Sequence, residues 1–236
     1  MCSNYRPVTR TDRLLTFFGV ERERDDPPPQ DVFPSGLAPM ILLAPNDGAT
    51  PRRHVALQEA IFRFVPDFIA KVEWARRTYN ARAETVATRS AFRAAWAKGQ
   101  RCIIPAECIY EANYETGKAV RWAIRQAGDV PLGIAGIYEV WTTPEGDHRF
   151  GMAMLTVNAD DHPFMRRFHR PEDEKRMVAV LSPSDYAAWL ACPVTEAQAF
   201  LRPWHGPLEG EPAPLPPRSK ARTVEPPQPA SGDLFG

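Results

Sequence analysis

An α+β fold is predicted for this chain from three observations. Four long segments rich in Ile, Val, Tyr, Trp and Phe lie between residues 101 and 157. Only a few short stretches around them carry helical signals. The segments are separated by turn sequences built from Gly, Asp and Pro.

Taken in order, residues 20–31 (Val-Glu-Arg-Glu-Arg-Asp-Asp-Pro-Pro-Pro-Gln-Asp) read as a charged and then proline-rich loop, and residues 34–39 continue as turn-rich chain. Met40 to Leu43 is a short apolar run that predicts a strand. Asn46-Asp47-Gly48 marks a turn before a further strand pair around residues 53–65. Ser90 predicts the N-cap of a helix over 91–98, which Gly99 stops. Strands are predicted over 101–112, 119–125, 132–142 and 149–157. Gln126-Ala127-Gly128-Asp129 joins the second and third of these, and Thr143-Pro144-Glu145-Gly146-Asp147 makes a hairpin of the third and fourth. Ser182-Pro183-Ser184-Asp185 opens a last helix, with proline at its first position and an acid completing a capping box. A shorter helix is predicted over 195–201. After Trp204 the composition changes. Residues 207–236 are proline-rich with few apolar groups to pack, so they are expected to form a mostly disordered tail beyond one domain of residues 1–206.

Charge excludes a generic polyanion binder, because 29 basic residues balance 29 acidic ones. The average hides a strip. Lys71, Arg76, Arg77, Arg82, Arg89, Arg93, Lys98 and Arg101 face only Glu73 and Glu84, with Trp74, Tyr79, Phe92 and Trp96 interleaved. Arginines for phosphates and aromatics for bases are the ingredients of a single-strand groove. Phe92 and Trp96, four apart on one helix face, read better as core. Arg166, Arg167 and Arg170 form a second cluster, followed at once by Glu172, Asp173 and Glu174, which repel a phosphate. Cys2, Cys102, Cys108 and Cys192 show no metal spacing, and no phosphate-binding glycine motif is present, so no cofactor or metal is expected. The start is polar and no run reaches a membrane-spanning length. A monomeric, cytoplasmic, nucleoid-associated protein with no membrane contact is the expectation.

Cys2 is the most informative single residue. Small residues in that position usually permit loss of Met1, and the new terminus would carry an α-amine and a thiol on adjacent carbons. Their ordinary pKa values, about 7.7–8.0 and about 8.5, put both nucleophiles within reach near neutrality. Such a pair condenses with an aldehyde to an imine and closes it to a thiazolidine, which no internal cysteine can do.

Four blocks in order carry a resemblance. They are Met1-Cys2-Ser3-Asn4-Tyr5, then Asn80-Ala81-Arg82-Ala83-Glu84-Thr85, then Arg101 to Glu111 ending in Tyr110-Glu111, and His169-Arg170-Pro171 with Arg176-Met177. Together they resemble the SRAP (SOS response-associated peptidase) family. The resemblance implies a twisted, barrel-like antiparallel β core with short helices around a DNA groove. It implies an autopeptidase that removes Met1 and crosslinks abasic sites in single-stranded DNA, with associated lyase or reversal activity in DNA repair. By the same resemblance Cys2 is the nucleophile, Glu111 a proton relay, His169 a group that opens the sugar ring, and Asn80 an orienting amide. Arg82 matches the phosphate-contacting arginine and Arg77 lies in the same basic strip. Phe62-Arg63-Phe64-Val65-Pro66 stands where the family has Trp-Gly-Leu-x-Pro, which makes Phe62 and Pro66 a candidate stacking wedge and Arg63 an added phosphate contact. Two further departures are Asn4, usually arginine, with Arg6 or Arg10 as substitutes, and Ala112, usually tryptophan.

Rivals remain. Glu107 shares a strand face with Glu111 by two-residue alternation, and spacing does not separate them. His162 lies seven residues before His169. Two other functions fit the same residues: an N-terminal-cysteine hydrolase acting on peptides in trans, and a single-strand DNA-binding module without covalent chemistry.

Overall fold

The computed structural model describes residues 2–22, 30–44, 55–65 and 77–215. Its strands are β1 (Tyr5–Pro7), β2 (Leu37–Leu43), β3 (Val55–Ile61), β4 (Asn80–Arg82), β5 (Arg101–Asn113), β6 (Val120–Gln126), β7 (Leu132–Thr142), β8 (His148–Asn158), β9 (Arg176–Val178), β10 (Val180–Leu181) and β11 (Leu208–Pro212). They form one sheet in the order β10-β7-β8-β3-β2-β5-β6-β11, with β1 on β5 and both β4 and β9 on β8. A further β7–β5 pairing makes the path return on itself. The chain is thus a mixed α+β fold of a many-stranded sheet and short helices. The antiparallel expectation needs one correction, because β3 and β4 both run parallel to β8.

β5 is the hub. Eleven of its thirteen residues are buried, as a strand covered on both faces requires. It pairs with β1, β2, β6 and β7. Its approach to β7 is close enough that a Cβ at Gly136 would stand 2.8 Å from the Cys102 thiol. The four predicted strands between 101 and 157 are all present within a residue or two, and the hairpin closes with the Thr143 N–H donating to Asp147 O at 2.8 Å. The turn expected at 46–48 lies outside the described residues.

Helices are short. α1 (Thr11–Phe18), which the sequence reading passed over, buries Leu14 and Phe18 and ends on Gly19 in the left-handed region at φ 68°. α2 (Arg93–Ala97) starts later than expected, on Phe92, and Gly99 stops it at φ 68°. Phe92 and Trp96 are core, as their spacing indicated: Phe92 packs on Phe64 and Trp96 on Trp189. The expected capping box at Ser182 is absent. Its hydroxyl bonds Ser184 Oγ at 2.9 Å, and a 3-10 turn, Pro183–Asp185, leads into α3 (Tyr186–Ala191). α4 (Val194–Ala197) runs into a second 3-10 turn, Gln198–Phe200.

The expected tail is also corrected in its first part. β11 lies on the edge of β6, with Glu209 and Glu211 paired to Arg125 at 3.2 and 2.6 Å. Main-chain hydrogen bonds and surface charges hold this strand, and neither needs the apolar side chains whose scarcity suggested disorder. Residues 216–236 lie outside the described residues.

Candidate functional site

Strand register delivers Cys2 to the end of β5. Tyr5 pairs with Ile109 and Arg6 with Cys108 in the antiparallel β1–β5 ladder. One step back, the carbonyl of Asn4 accepts the Tyr110 N–H at 3.1 Å and the Cys2 thiol at 3.3 Å. Residues 2–4 therefore run beside Tyr110 and Glu111. Asn80, the first residue of β4, donates its side-chain N–H to the carbonyl of Cys2 at 2.6 Å. Its own amide oxygen is buried without a hydrogen bond among the described residues. Cys2 is 1% exposed. Burial, and then the nearby charge of Glu111, push its thiol well above the ordinary range.

The fourth member arrives from a distant loop. His169 Nε2 lies 3.3 Å from Glu111 Oε2, both side chains being at least nine-tenths buried. His169 adopts φ 67°, and its N–H donates to the carbonyl of Ala112 at 2.9 Å. Phe168 bridges to Asn113. Aromatic side chains share the face of β5 from which Glu111 projects. Trp122 is its direct partner on β6, so both side chains leave the same face, and Phe168 packs edge-on to that indole at 6.0 Å. By two-residue alternation Ala112 faces the other way, so this aromatic pair shares the Glu111 face and does not replace bulk at position 112.

Both rivals are engaged elsewhere. Glu107 takes a two-pronged ion pair from Arg13, at 2.8 and 2.7 Å. His162 Nδ1 accepts the N–H groups of Phe164 and Met165, which leaves Nε2 as the protonated nitrogen that donates to Trp204 O at 2.6 Å. His162 is a loop anchor.

The residues expected to meet DNA divide. Arg82 is 48% exposed and pairs with Glu174 at 2.9 Å. Arg77 is exposed. Phe62 is fully buried between Tyr5 and Tyr79, at ring separations of 5.1 and 5.6 Å, so it packs the core and presents no wedge to a base. Arg63 is 3% exposed and donates to Ser35 Oγ at 3.2 Å, so the expected phosphate contact is not available at the surface. Pro66, with Lys71, Trp74 and Arg76 of the strip, lies outside the described residues. Asn4 is buried, and with its amide oxygen turned toward Arg121 it accepts two bonds from that guanidinium, at 2.6 and 3.2 Å. Arg6 and Arg10, the expected substitutes, are paired with Asp31 and Asp12.

Tyr79 was missed as a site neighbour. It is half-buried, and its phenol is pushed above the ordinary range by burial and by the charges of Cys2 and Glu111, against a smaller opposite effect of Arg77. Adjacency to Asn80 was the signal available. Among the described residues no cluster of His, Cys, Asp and Glu is placed to hold a metal ion.

The site thus brings together the buried Cys2 thiol, the Glu111–His169 carboxylate–imidazole pair and the Asn80 amide on the Cys2 carbonyl. Residues 1–213 match the family described as SOS response associated peptidase (SRAP). The chain is 26% identical over 211 residues to the abasic site processing protein YoqW of Bacillus subtilis strain 168, which covers 86% of this chain and 88% of that one. It is likewise 26% identical over 194 residues to the abasic site processing protein YoaM of the same organism, covering 80% and 79%. A crystal structure of a protein from Bordetella bronchiseptica superposes with a TM-score of 0.79 at 33% identity, covering 91% of this chain and all of the other. Another, from Bacteroides thetaiotaomicron, shares the fold at a TM-score of 0.68 and 19% identity, covering 89% and 90%.

Proposed function

The chain belongs to the SOS response associated peptidase (SRAP) family, and we propose that it captures abasic sites in single-stranded DNA through a covalent bond to Cys2. The observation that carries this reading is the convergence on one residue. Asn80 donates to the Cys2 carbonyl at 2.6 Å, and Glu111, whose Oε2 lies 3.3 Å from His169 Nε2, is near enough for its charge to raise the Cys2 thiol.

Hydrolysis of the Met1–Cys2 bond comes first. Water adds to the Met1 carbonyl carbon as the Glu111 carboxylate takes its proton, and the resulting carboxylic acid returns that proton to the Cys2 nitrogen as the C–N bond breaks. The freed amine adds to the C1′ aldehyde of the open-chain deoxyribose. The carbinolamine loses water to give an imine, and the thiol adds across the C=N bond, sulfur to carbon and proton to nitrogen. The sum is aminothiol plus aldehyde giving thiazolidine plus water. Because burial and Glu111 disfavour the thiolate, the thiol's proton needs an acceptor close by, and Glu111 backed by His169 supplies one. His169 donates to O4′ as the closed sugar opens. Asn80 orients the terminus and transfers no proton. Arg82 and Arg77 meet phosphates without reading sequence.

The test is incubation with a single-stranded oligonucleotide carrying one abasic site, followed by a denaturing gel and mass spectrometry. An adduct is expected without borohydride, absent from Cys2→Ala and from undamaged DNA. A protein with a confirmed Cys2 terminus that binds DNA yet gives no heat-stable adduct refutes covalent capture and leaves a binding module. Cleavage of peptides in trans would support the hydrolase reading instead.

A further inference from the structure

We propose that Glu174 is a built-in competitor for the DNA phosphate at Arg82, and that the segment 170–175 exists in this chain to hold its carboxylate in the phosphate's seat. This rests on the assignment of Arg82 as a phosphate contact.

Arg82 Nη1 lies 2.9 Å from Glu174 Oε2, although almost half of the arginine side chain faces solvent. The other carboxylate oxygen accepts from Arg176 Nη1 at 2.7 Å and from Asn158 Nδ2 at 3.3 Å. Arg176 is 2% exposed and is itself fixed by Glu84 at 3.0 and 2.9 Å and by the carbonyl of Thr156 at 2.7 Å. One oxygen of Glu174 is thus anchored to a buried, multiply bonded guanidinium, while the other is aimed at a half-exposed one.

The backbone around it is tied as well. The Lys175 N–H donates to Asp160 Oδ1 at 2.8 Å, its ammonium reaches the carbonyls of Arg170 and Pro171, and the Asp173 N–H donates to Arg170 O at 3.1 Å. Hydrogen bonding to Arg176 outweighs the opposing effect of burial and holds the Glu174 carboxyl below the usual carboxylate range, so it is an anion at working pH.

Carboxylate and phosphate use the same N–H fork of a guanidinium, so Arg82 cannot fully serve both. An exposed ion pair contributes little, which makes the exchange easy when a strand arrives. Arg176 keeps Glu174 from swinging away, and Glu172 and Asp173 add their repulsion in the same segment. Non-covalent affinity for intact strands is thereby lowered by a few-fold, which shifts retention toward the covalent step that only a lesion permits.

The experiment is a titration of a fluorescent undamaged single strand at several salt concentrations with the Met1-processed wild type, Glu174→Gln, Arg82→Ala, the double variant and Glu172→Gln/Asp173→Asn. Glutamine keeps its amide oxygen for Arg176, and thermal unfolding checks that each protein is folded. Glu174→Gln is expected to tighten binding roughly two- to fivefold at low salt, and Arg82→Ala to weaken it. The double variant should match Arg82→Ala, since there is then no guanidinium to release. Binding by Glu174→Gln equal to or weaker than wild type, with Arg82→Ala still weakened, overturns the competitor and leaves the phosphate contact standing. Equal tightening by Glu172→Gln/Asp173→Asn also overturns it, because the effect is then general repulsion. An Arg82→Ala protein that binds like wild type removes the phosphate contact and the competitor together, while adduct formation on abasic DNA still reports separately on Cys2.

Discussion

His169 Nε2 stands 3.3 Å from Glu111 Oε2, and the His169 main chain donates to the carbonyl of Ala112, the residue next to that glutamate. The imidazole is therefore referenced to the carboxylate twice, once through side chains and once through backbone. The left-handed φ of 67° at His169 is what turns its N–H to β5 while its ring reaches Glu111.

With the backbone tie in place, removing the ring should leave the loop seated. His169→Ala is expected to slow adduct formation, or its reversal, by roughly 100-fold, the usual scale for a lost acid–base group. Its affinity for undamaged single strands should be unchanged. Single-turnover gels and a parallel binding titration check both. A variant that crosslinks at the wild-type rate takes the imidazole out of proton transfer.

Glu111→Gln keeps the shape and removes the base. Removal of Met1 is expected to slow sharply in a host lacking methionine aminopeptidase activity, as read by intact mass. Equal processing of both proteins would assign that step to another group.

Cys2 offers a titration of its surroundings. Burial first and Glu111 second raise its thiol, so in proteins whose N-termini are matched by intact mass, alkylation of the folded chain by iodoacetamide at neutral pH is expected to lag far behind that of a free thiol. Glu111→Gln removes an anion that opposes ionisation, so the pH profile for Cys2 alkylation should move to lower pH without reaching the ordinary thiol range. Peptide mass spectrometry against pH resolves Cys2 from the three other cysteines. A profile that stays in place would separate Cys2 electrostatically from Glu111.

The grouping of the four site residues was more legible than the surface. Cys2, Asn80, Glu111 and His169 could be named because each residue type fits its task and each sits in a recognisable block. The choice between Glu107 and Glu111 could not be made from strand periodicity, since it depends on Arg13, which reaches Glu107 from 94 residues away. Phe62 and Arg63 are expected in the groove from their alignment with the family's Trp-Gly-Leu-x-Pro segment, and an aromatic beside an arginine looks the same in sequence whether exposed or buried. Only the packing of Tyr5 and Tyr79 around Phe62, and of Ser35 against Arg63, places them inside. β11 was invisible for another reason. An edge strand held by main-chain bonds leaves little mark on composition.

The network behind Cys2 carries the last expectation. Asp31 accepts from Tyr110 Oη at 2.8 Å and from Arg121 at 2.6 Å, and Arg6 pairs with it at 3.1 Å. Arg121 also lies over the Tyr110 ring, donates to the carbonyl of Ala213 at 2.8 Å, and reaches the amide oxygen of Asn4. One guanidinium thus ties β6 to the segment that carries Cys2 and to the chain just past β11. Arg121→Leu leaves a half-buried carboxylate short of a partner and is expected to destabilise the fold by about 1–3 kcal/mol. The acid response should change too. Burial alone would raise the Asp31 carboxyl, but the bonds from Tyr110 and Arg121 and the charge of Arg6 prevail and hold it below its ordinary 3.8. A carboxyl depressed in the folded state adds stability above its unfolded pKa and loses it as pH falls through the folded value. The difference in stability between wild type and Arg121→Leu should therefore be largest near neutrality, begin to shrink below about pH 4 as the carboxyl protonates in the unfolded chain, and go on shrinking as pH falls through the lower folded value of wild type. Urea unfolding at pH 7 and pH 3 measures this. A difference that is the same at both values would mean that Arg121 acts through packing on Tyr110 alone, with no stabilising charge on Asp31.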